Sequence, residues 1–191
     1  MKITKLEYQK KDPDRVNIYV DEKFATGIDV NNVVKLGLYS GQELSSEQLA
    51  KIIDESEFGK LFNTALNFLS FRPRSEWEIK QKLIKKTKDE QMISGVLDKL
   101  KKIGQVDDEV FARWYVEQRQ TFRPKGKRAI EVELRRKGVK VKVESSLSEE
   151  QLAKKALAKF RGPKDKVRIS RFLASRGFDW DTIRDILGEV N

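Results

Sequence analysis

Apolar residues along this chain recur first at every second position and then, from Ser45 onward, at every third or fourth. In ITKLEYQ the apolar points are Ile3, Leu6 and Tyr8, and RVNIYV sets Val16, Ile18 and Val20 on one face at period two. That alternation predicts half-buried strands. Lys11-Asp12-Pro13-Asp14 between them is expected to turn, Asp21-Glu22 to lead into a third strand at KFATGI, and VNNVVKLGL to form a short helix ending near Gly37. Residues 1–58 are therefore expected to form a small strand meander with short helices.

The helical period begins after Ser45 and Gln48, which are spaced for a capping box. Leu49, Ile52 and Ile53 follow it, and from Phe58 so do Leu61, Phe62, Ala65, Phe68 and Leu69. An internal repeat then appears: FRPRSEWEIKQKL from Phe71, FRPKGKRAIEVEL from Phe122 and FRGPKDKVRISRFL from Phe160. Aligned on Pro73, Pro124 and Pro163, each copy has a base next (Arg74, Lys125, Lys164). Each then has Ile six residues on (Ile79, Ile130, Ile169) and Leu ten on (Leu83, Leu134, Leu173). Ile and Leu four apart define a buried helical stripe, and proline suits the entry to a helix. Gly138 and Gly177 stand where a helix would stop. Ile93/Val96 and Ile183/Ile186 then mark the core face of a following helix in copies one and three.

Each copy reads as helix, basic turn, helix, turn, helix. Units this small bury an apolar face best by stacking on neighbours. The expected fold is mainly α, with three tandem three-helix repeats over 59–106, 107–148 and 149–191. In the middle copy VKVKVESSL alternates and is rich in β-branched valine, which leaves a helix over 139–147 open. Ser148-Glu149-Glu150-Gln151 is a second capping box, and Asp107 an N-cap with Asp108 and Glu109 on the first turn, where the helix dipole favours acids.

Composition narrows the chemistry. Among 191 residues there is no cysteine and no histidine. That removes disulfides, zinc-thiolate sites, the thiol nucleophile and the commonest general base. No Walker loop, dinucleotide fingerprint or HExxH element is present, and no apolar run approaches the ~20 residues of a membrane span. The reading is a cytoplasmic protein that binds and is not an enzyme, with no cofactor, metal or catalytic residue.

Charge points to the partner. The net charge is +10, and residues 119–142 hold 10 Lys/Arg against 2 Asp/Glu, a local +8. A concentrated basic patch implies an anionic partner. Arg123, Lys125 and Lys127 would lie at the entrance of the helix carrying Ile130 and Leu134, where they oppose its dipole, and Arg135, Arg136 and Lys137 at its exit. Arg128 and Arg135, seven apart, share an outward face, with Glu131 spaced to pair with Arg135. Phe122 and Trp114 are read as core aromatics, with base stacking the lesser alternative. If about six bases met phosphates, affinity would fall on the order of a thousandfold between 50 and 200 mM salt.

VDDEVFARWYVEQR followed by KGKRAIEVELRRKGV resembles the RecX family, regulators of the bacterial recombinase RecA. The matching positions are Asp107, Asp108, Phe111, Ala112, Arg113 and Arg119, then Lys125, Gly126, Glu133, Leu134, Lys137 and Gly138, with Arg74, Ser75, Glu78, Lys82 and Leu83 in the first copy and Leu173, Arg176, Gly177 and Phe178 in the last. The resemblance spans about residues 60–191, and the strand module looks like the extension many longer members carry. It implies an elongated, curved array of three-helix repeats that binds in the groove of the RecA–single-stranded DNA filament. It further implies inhibition of ATPase, strand exchange and coprotease activity, within DNA repair, recombination and the SOS response.

With the basic patch, the expected contact residues are Arg119, Arg123, Lys125, Lys127, Arg128, Arg135, Arg136 and Lys137. Arg72, Arg74, Lys82, Arg168 and Arg171 are secondary, and Glu133 and Asp107 are assigned to structure. The expected partners are the RecA filament and single-stranded DNA, with duplex bound weakly, no membrane, and a monomeric chain. The alternatives are a stand-alone helix-turn-helix-like DNA-binding protein, transcriptional or architectural, and a helical scaffold that binds only protein.

Overall fold

The computed structural model describes residues 1–163 and 165–189; Lys164, aligned above with Arg74 and Lys125, lies outside the described residues. The chain divides into two compact units, residues 1–70 with 82–98 and residues 71–81 with 99–191.

In the first unit, β1 (Ile3–Gln9), β2 (Asp12–Val20) and β3 (Lys23–Asp29) form an antiparallel sheet in the order β1-β2-β3. The first turn is tighter than expected. It consists of Lys10-Lys11, and Asp12 already pairs with Gln9. Pro13, which has no N–H for a ladder, falls in the register shift between the Gln9–Asp12 and Tyr8–Val16 pairs. At the second turn Asp21 and Glu22 adopt φ of 47° and 67°. Two left-handed central residues match the twist of paired strands, which holds Val20 opposite Lys23.

Helix α1 (Val30–Lys35) is capped by Asp29, and α2 (Ser46–Leu69) starts at the Ser45–Gln48 capping box. α2 is continuous, so residue 58, expected to end the N-terminal module, falls inside it. Ile52 of α2 closes a core with Ile3, Ile18, Val20, Ile28, Leu38 and Leu44. One polar pin crosses that interface. The buried Thr26 hydroxyl donates to Ser56 Oγ (2.8 Å), and the Ser56 hydroxyl donates to the Gly27 carbonyl (2.7 Å).

Helices α3 (Glu76–Ile84) and α4 (Glu90–Lys102) each contribute residues to both units. Ile79, Leu83, Ile93 and Val96 are all buried, as their spacing predicts.

The second unit continues with α5 (Asp108–Phe122) and α6 (Lys127–Arg135). Phe111, Ala112, Tyr115 and Val116 of α5 pack on Ile130 and Leu134 of α6. Residues 139–147 then run without helix. Val139 and Val143 enter the same core, Val141 packs against it, and Lys140, Lys142 and Glu144 point to solvent. The middle repeat thus has two helices and an extended segment, which answers the question left open by its alternating valines. Helices α7 (Glu149–Ala158), α8 (Lys166–Ser175) and α9 (Trp180–Glu189) complete the unit. They close around Leu152, Ala156, Ile169, Leu173, Phe178, Ile183 and Ile186.

Gly138 and Gly177 end α6 and α8 in the left-handed conformation (φ 80° and 76°), and the amides of Val139 and Phe178 reach back to the carbonyls of Leu134 and Leu173. This is the Schellman stop that their positions predict.

One joint occurs twice in this unit. The Ser75 hydroxyl donates to the Lys137 carbonyl (2.7 Å), while the Asp108 carboxylate accepts the Glu76 N–H (2.8 Å). One repeat further, the Gly126 N–H donates to the Arg176 carbonyl (3.1 Å), while Glu149 accepts the Lys127 N–H (3.0 Å). Ser75 and Gly126 are both two residues after the aligned prolines, Lys137 and Arg176 both thirteen after, and Asp108 and Glu149 each open the first helix of the next repeat. Each acid satisfies an N–H that a helix start leaves without an intrahelical partner. α6 depends on this, because Gly126 offers no side-chain cap.

The second joint is close-packed. A Cβ on Gly126 would sit 2.1 Å from the Gly177 carbonyl oxygen, and one on Gly177 2.4 Å from Ala129 Cβ. Gly126 has φ −62° and ψ 149°, which alanine also adopts, so any loss on substitution reports the contact and not the backbone. Gly126→Ala is expected to destabilise the protein by about 1–3 kcal/mol, as overpacking does. Gly188→Ala, where a Cβ meets nothing within 4 Å, is expected to be neutral or slightly stabilising. Urea unfolding of the two variants checks the contrast.

Candidate nucleic-acid interface

The basic run from Arg119 to Lys137 is sorted by its counter-charges. Tyr115 and Arg119 lie one turn apart on α5, and Glu133 faces them from α6 beside the buried Leu134. Glu133 accepts from Arg119 Nε (2.7 Å), from the Tyr115 hydroxyl (2.8 Å) and from Lys125 Nζ (2.5 Å). Arg119 also lies over the Tyr115 ring at 4.9 Å. Burial pulls the Glu133 carboxyl upward, but Lys125, Tyr115 and Arg119 together hold it below the ordinary carboxylate value. Burial and the Glu133 hydrogen bond raise the Tyr115 phenol, which stays protonated as a donor.

A second cluster adjoins through the same tyrosine. Lys137 Nζ stands 5.6 Å from the Tyr115 ring centre and donates to Glu78 at 2.7 Å. Arg72 grips both Glu78 oxygens, at 2.9 and 3.1 Å, and its guanidinium lies 5.7 Å from the Trp114 ring. Burial opposes ionisation of Glu78, yet the bonds from Arg72 and Lys137 outweigh it and bring the carboxyl down to about 2. Burial and the neighbouring Arg72 lower the Arg74 guanidinium.

Three of the eight primary candidates, Arg119, Lys125 and Lys137, are therefore held by carboxylates and secure the fold. The other five are Arg123, Lys127, Arg128, Arg135 and Arg136. Among the described residues none of their side chains has a hydrogen-bond or ion-pair partner, and all but the half-buried Lys127 are exposed. Glu131 does not pair with Arg135 as its spacing suggested, because its carboxylate accepts the Val143 N–H (3.2 Å) from the extended segment.

The secondary candidates scatter. Arg72 is bound to Glu78, Lys82 lies over Phe68 at 5.5 Å, Arg168 pairs with Asp165 at 3.3 Å, and Arg171 is exposed, with no hydrogen-bond or ion-pair partner among the described residues. Trp114 packs on the α5–α6 core as read, whereas Phe122 is 64% exposed and is not a core residue. Asp107 caps α5 through the Glu109 and Val110 amides, which lower its carboxyl. Sequence reasoning missed the role of Tyr115, whose hydroxyl and ring connect the two ion clusters. It also missed Lys159, whose ammonium donates to the Thr121 and Phe122 carbonyls at 2.7 and 3.2 Å. Among the described residues no cluster of His, Cys, Asp or Glu could hold a metal, and no helix is long and apolar enough to cross a membrane.

Family models match nearly every element. They describe the RecX N-terminal domain (residues 1–45) and the first, second and third RecX three-helix domains (62–100, 107–141 and 149–187). The chain belongs to the RecX family. It is 36% identical to the regulatory protein RecX of Clostridioides difficile over 98% of this chain and 95% of that one. It is 32% identical to that of Halalkalibacterium halodurans over 98% and 77%. A crystal structure of a regulatory protein RecX superposes with a TM-score of 0.70 at 29% identity, covering 96% of this chain and 98% of that one. RecX from Lactobacillus salivarius shares the fold (TM-score 0.57, 24% identity, 70% and 96% covered). RecX proteins are non-enzymatic regulators, and membership implies regulation of RecA in DNA repair and recombination. In this RecX protein, the extended segment 139–147 takes the place of a third helix in the second three-helix domain.

The Glu78 cluster generates a pH prediction. Its folded carboxyl lies near 2 against an ordinary value near 4.5. A lowered folded value contributes stability that is complete above about pH 4.5 and is lost as pH falls toward 2. Glu78→Gln should destabilise the protein at pH 7 by about 1.5–3 kcal/mol, the range for hydrogen bonds to charged groups. It should also flatten the decline in urea midpoint across that acidic window.

Proposed function

We propose that this RecX protein inhibits RecA by lying in the groove of the RecA–single-stranded DNA filament, with its middle repeat against the phosphates, and so restrains ATPase, strand exchange and coprotease activity. The observation that carries this reading is the sorting of the basic patch. Arg119, Lys125 and Lys137 are held by Glu133 and Glu78, while the side chains of Arg123, Lys127, Arg128, Arg135 and Arg136 have no hydrogen-bond or ion-pair partner among the described residues, although Lys127 lies in the field of Glu149. Arg135 and Arg136 at the end of this short helix suit its dipole, whereas Arg123, Lys127 and Arg128 at its start oppose it. An external polyanion offsets that cost. The exposed face of α6 holds Arg128, Glu131 and Arg135 and no Asn or Gln, so it meets phosphates better than it reads bases. The protein acts in this reading as a cytoplasmic monomer, and its partners are the filament and its single strand.

Five phosphate contacts predict a salt slope near −3.5 on single-stranded DNA, or a loss of about a hundredfold in affinity between 50 and 200 mM salt. Reversing Arg128, Arg135 and Arg136 together to Glu should weaken inhibition of RecA-catalysed ATP hydrolysis on single-stranded DNA at least tenfold, with helix content by circular dichroism unchanged. A folded triple variant that inhibits like the parent contradicts the assignment. Tight duplex binding by the parent with no effect on the recombinase would favour the stand-alone DNA-binding alternative.

A further inference from the structure

Phe122 is a large apolar side chain that the fold leaves exposed. It is the last residue of α5, it is 64% exposed, and among the described residues it belongs to none of the three hydrophobic cores given above. The equivalent residue of the first repeat, Phe71, is 83% exposed, whereas in the third repeat the phenylalanine stands one position earlier, and this Phe160 packs on Phe172 with ring centres 4.7 Å apart. A phenylalanine at the entrance to the middle helix is therefore not demanded by packing, and two repeats present it to solvent.

The surroundings of Phe122 select one kind of partner. Residues 119–130 include five Lys or Arg and no Asp or Glu. Arg123, the next residue in the chain, is exposed, as is Arg128, and neither side chain has a hydrogen-bond or ion-pair partner among the described residues. A helix C-terminus would ordinarily repel phosphate through its free carbonyls. Here Lys159 covers that end, donating to the carbonyls of Thr121 and Phe122. A solvent-facing ring, exposed cations close to it along the chain and a neutralised helix end are the combination that binds single-stranded polynucleotide, with the base stacked on the ring and the backbone on the cations.

We infer that Phe122 stacks on an unpaired base of single-stranded DNA while Arg123 and its neighbours hold the flanking phosphates. This rests on the proposed function and adds a base contact to a patch otherwise limited to phosphates. Stacking tolerates any sequence, since every base has a π face.

Anisotropy of labelled strands at low salt tests it with the full chain: an oligothymidylate, and an abasic strand of the same length that keeps the phosphates and lacks the bases. The parent should prefer the thymidylate. Phe122→Ala should weaken thymidylate binding about 5- to 150-fold, equivalent to the roughly 1–3 kcal/mol of one stacked base, and leave abasic binding unchanged. Phe122→Trp should keep the preference. The inference is overturned if the parent shows no preference or no binding, or if Phe122→Ala affects both strands equally or neither. Should Phe122→Ala bind both strands normally yet inhibit the recombinase less, the ring contacts protein. This inference then falls while the proposed function stands. That function fails separately, through the Arg128, Arg135 and Arg136 reversal.

Discussion

The hydrogen-bonded joint between successive repeats is the constraint from which the basic site follows. A short helix of nine residues, such as α3 or α6, is marginal alone because its first amides lack partners. Here each receives an acid from outside itself: Asp108 for α3 and Glu149 for α6. Both acids sit on the first turn of their own helix, so one carboxylate serves two helix starts, through the dipole of one and the amide of the other. The cost of burial shows in both, since desolvation raises the carboxyls of Asp108 and Glu149. The same joint brings Lys137 within reach of Glu78, because the chain leaving α6 is tied by its carbonyl to Ser75.

That geometry decides which cations remain available. Lys137 is drawn to Glu78, and Arg119 and Lys125 converge on Glu133, around one tyrosine that presents its ring to Arg119 and Lys137 and its hydroxyl to Glu133. Charges of this kind are best regarded as structural: removing one partner strands the other in a partly desolvated place. The five that remain are at the two ends and the outer face of α6, where the joints engage backbone groups and leave these side chains without a hydrogen-bond or ion-pair partner among the described residues. The fold thus divides a run of like charge into an internal half that fixes the repeat and an external half that is free to meet a polyanion.

Much of this architecture could be read from residue spacing. The Ile–Leu pairs at the same offset from three prolines, the two glycine stops and the two capping boxes are local signals, and local signals survive into the fold because helix geometry is set within a few residues. The ion pairs and the joints between repeats were not legible in the same way. Glu78 and Lys137 are 59 residues apart, and Asp108 and Glu76 are 32 apart, so only the stacking of repeats brings them together. Phe122 was misread because its helical spacing from Phe111 and Tyr115 predicts burial, while α5 ends there and the core does not extend that far. A signal was available in the alignment: a phenylalanine two residues before the aligned proline in the first two copies and three before it in the third, outside the Ile–Leu stripe, is not explained by the stripe.

The departure of the middle repeat from a three-helix unit contributes to its charge. VKVKV is poorly suited to a helix, since branched valines lose side-chain freedom there, and alternation allows Val139 and Val143 to reach the core from an extended chain. An extended chain must still place its backbone amides, and that of Val143 is satisfied by Glu131. Glu131 would otherwise be the i,i+4 partner of Arg135. By drawing this acid toward the extended segment, the fold leaves Arg135 without its nearest counter-charge, and the same segment carries Lys140 and Lys142 on its exposed side. Replacing a helix with an extended chain therefore increases the free positive charge of this repeat without adding a single basic residue.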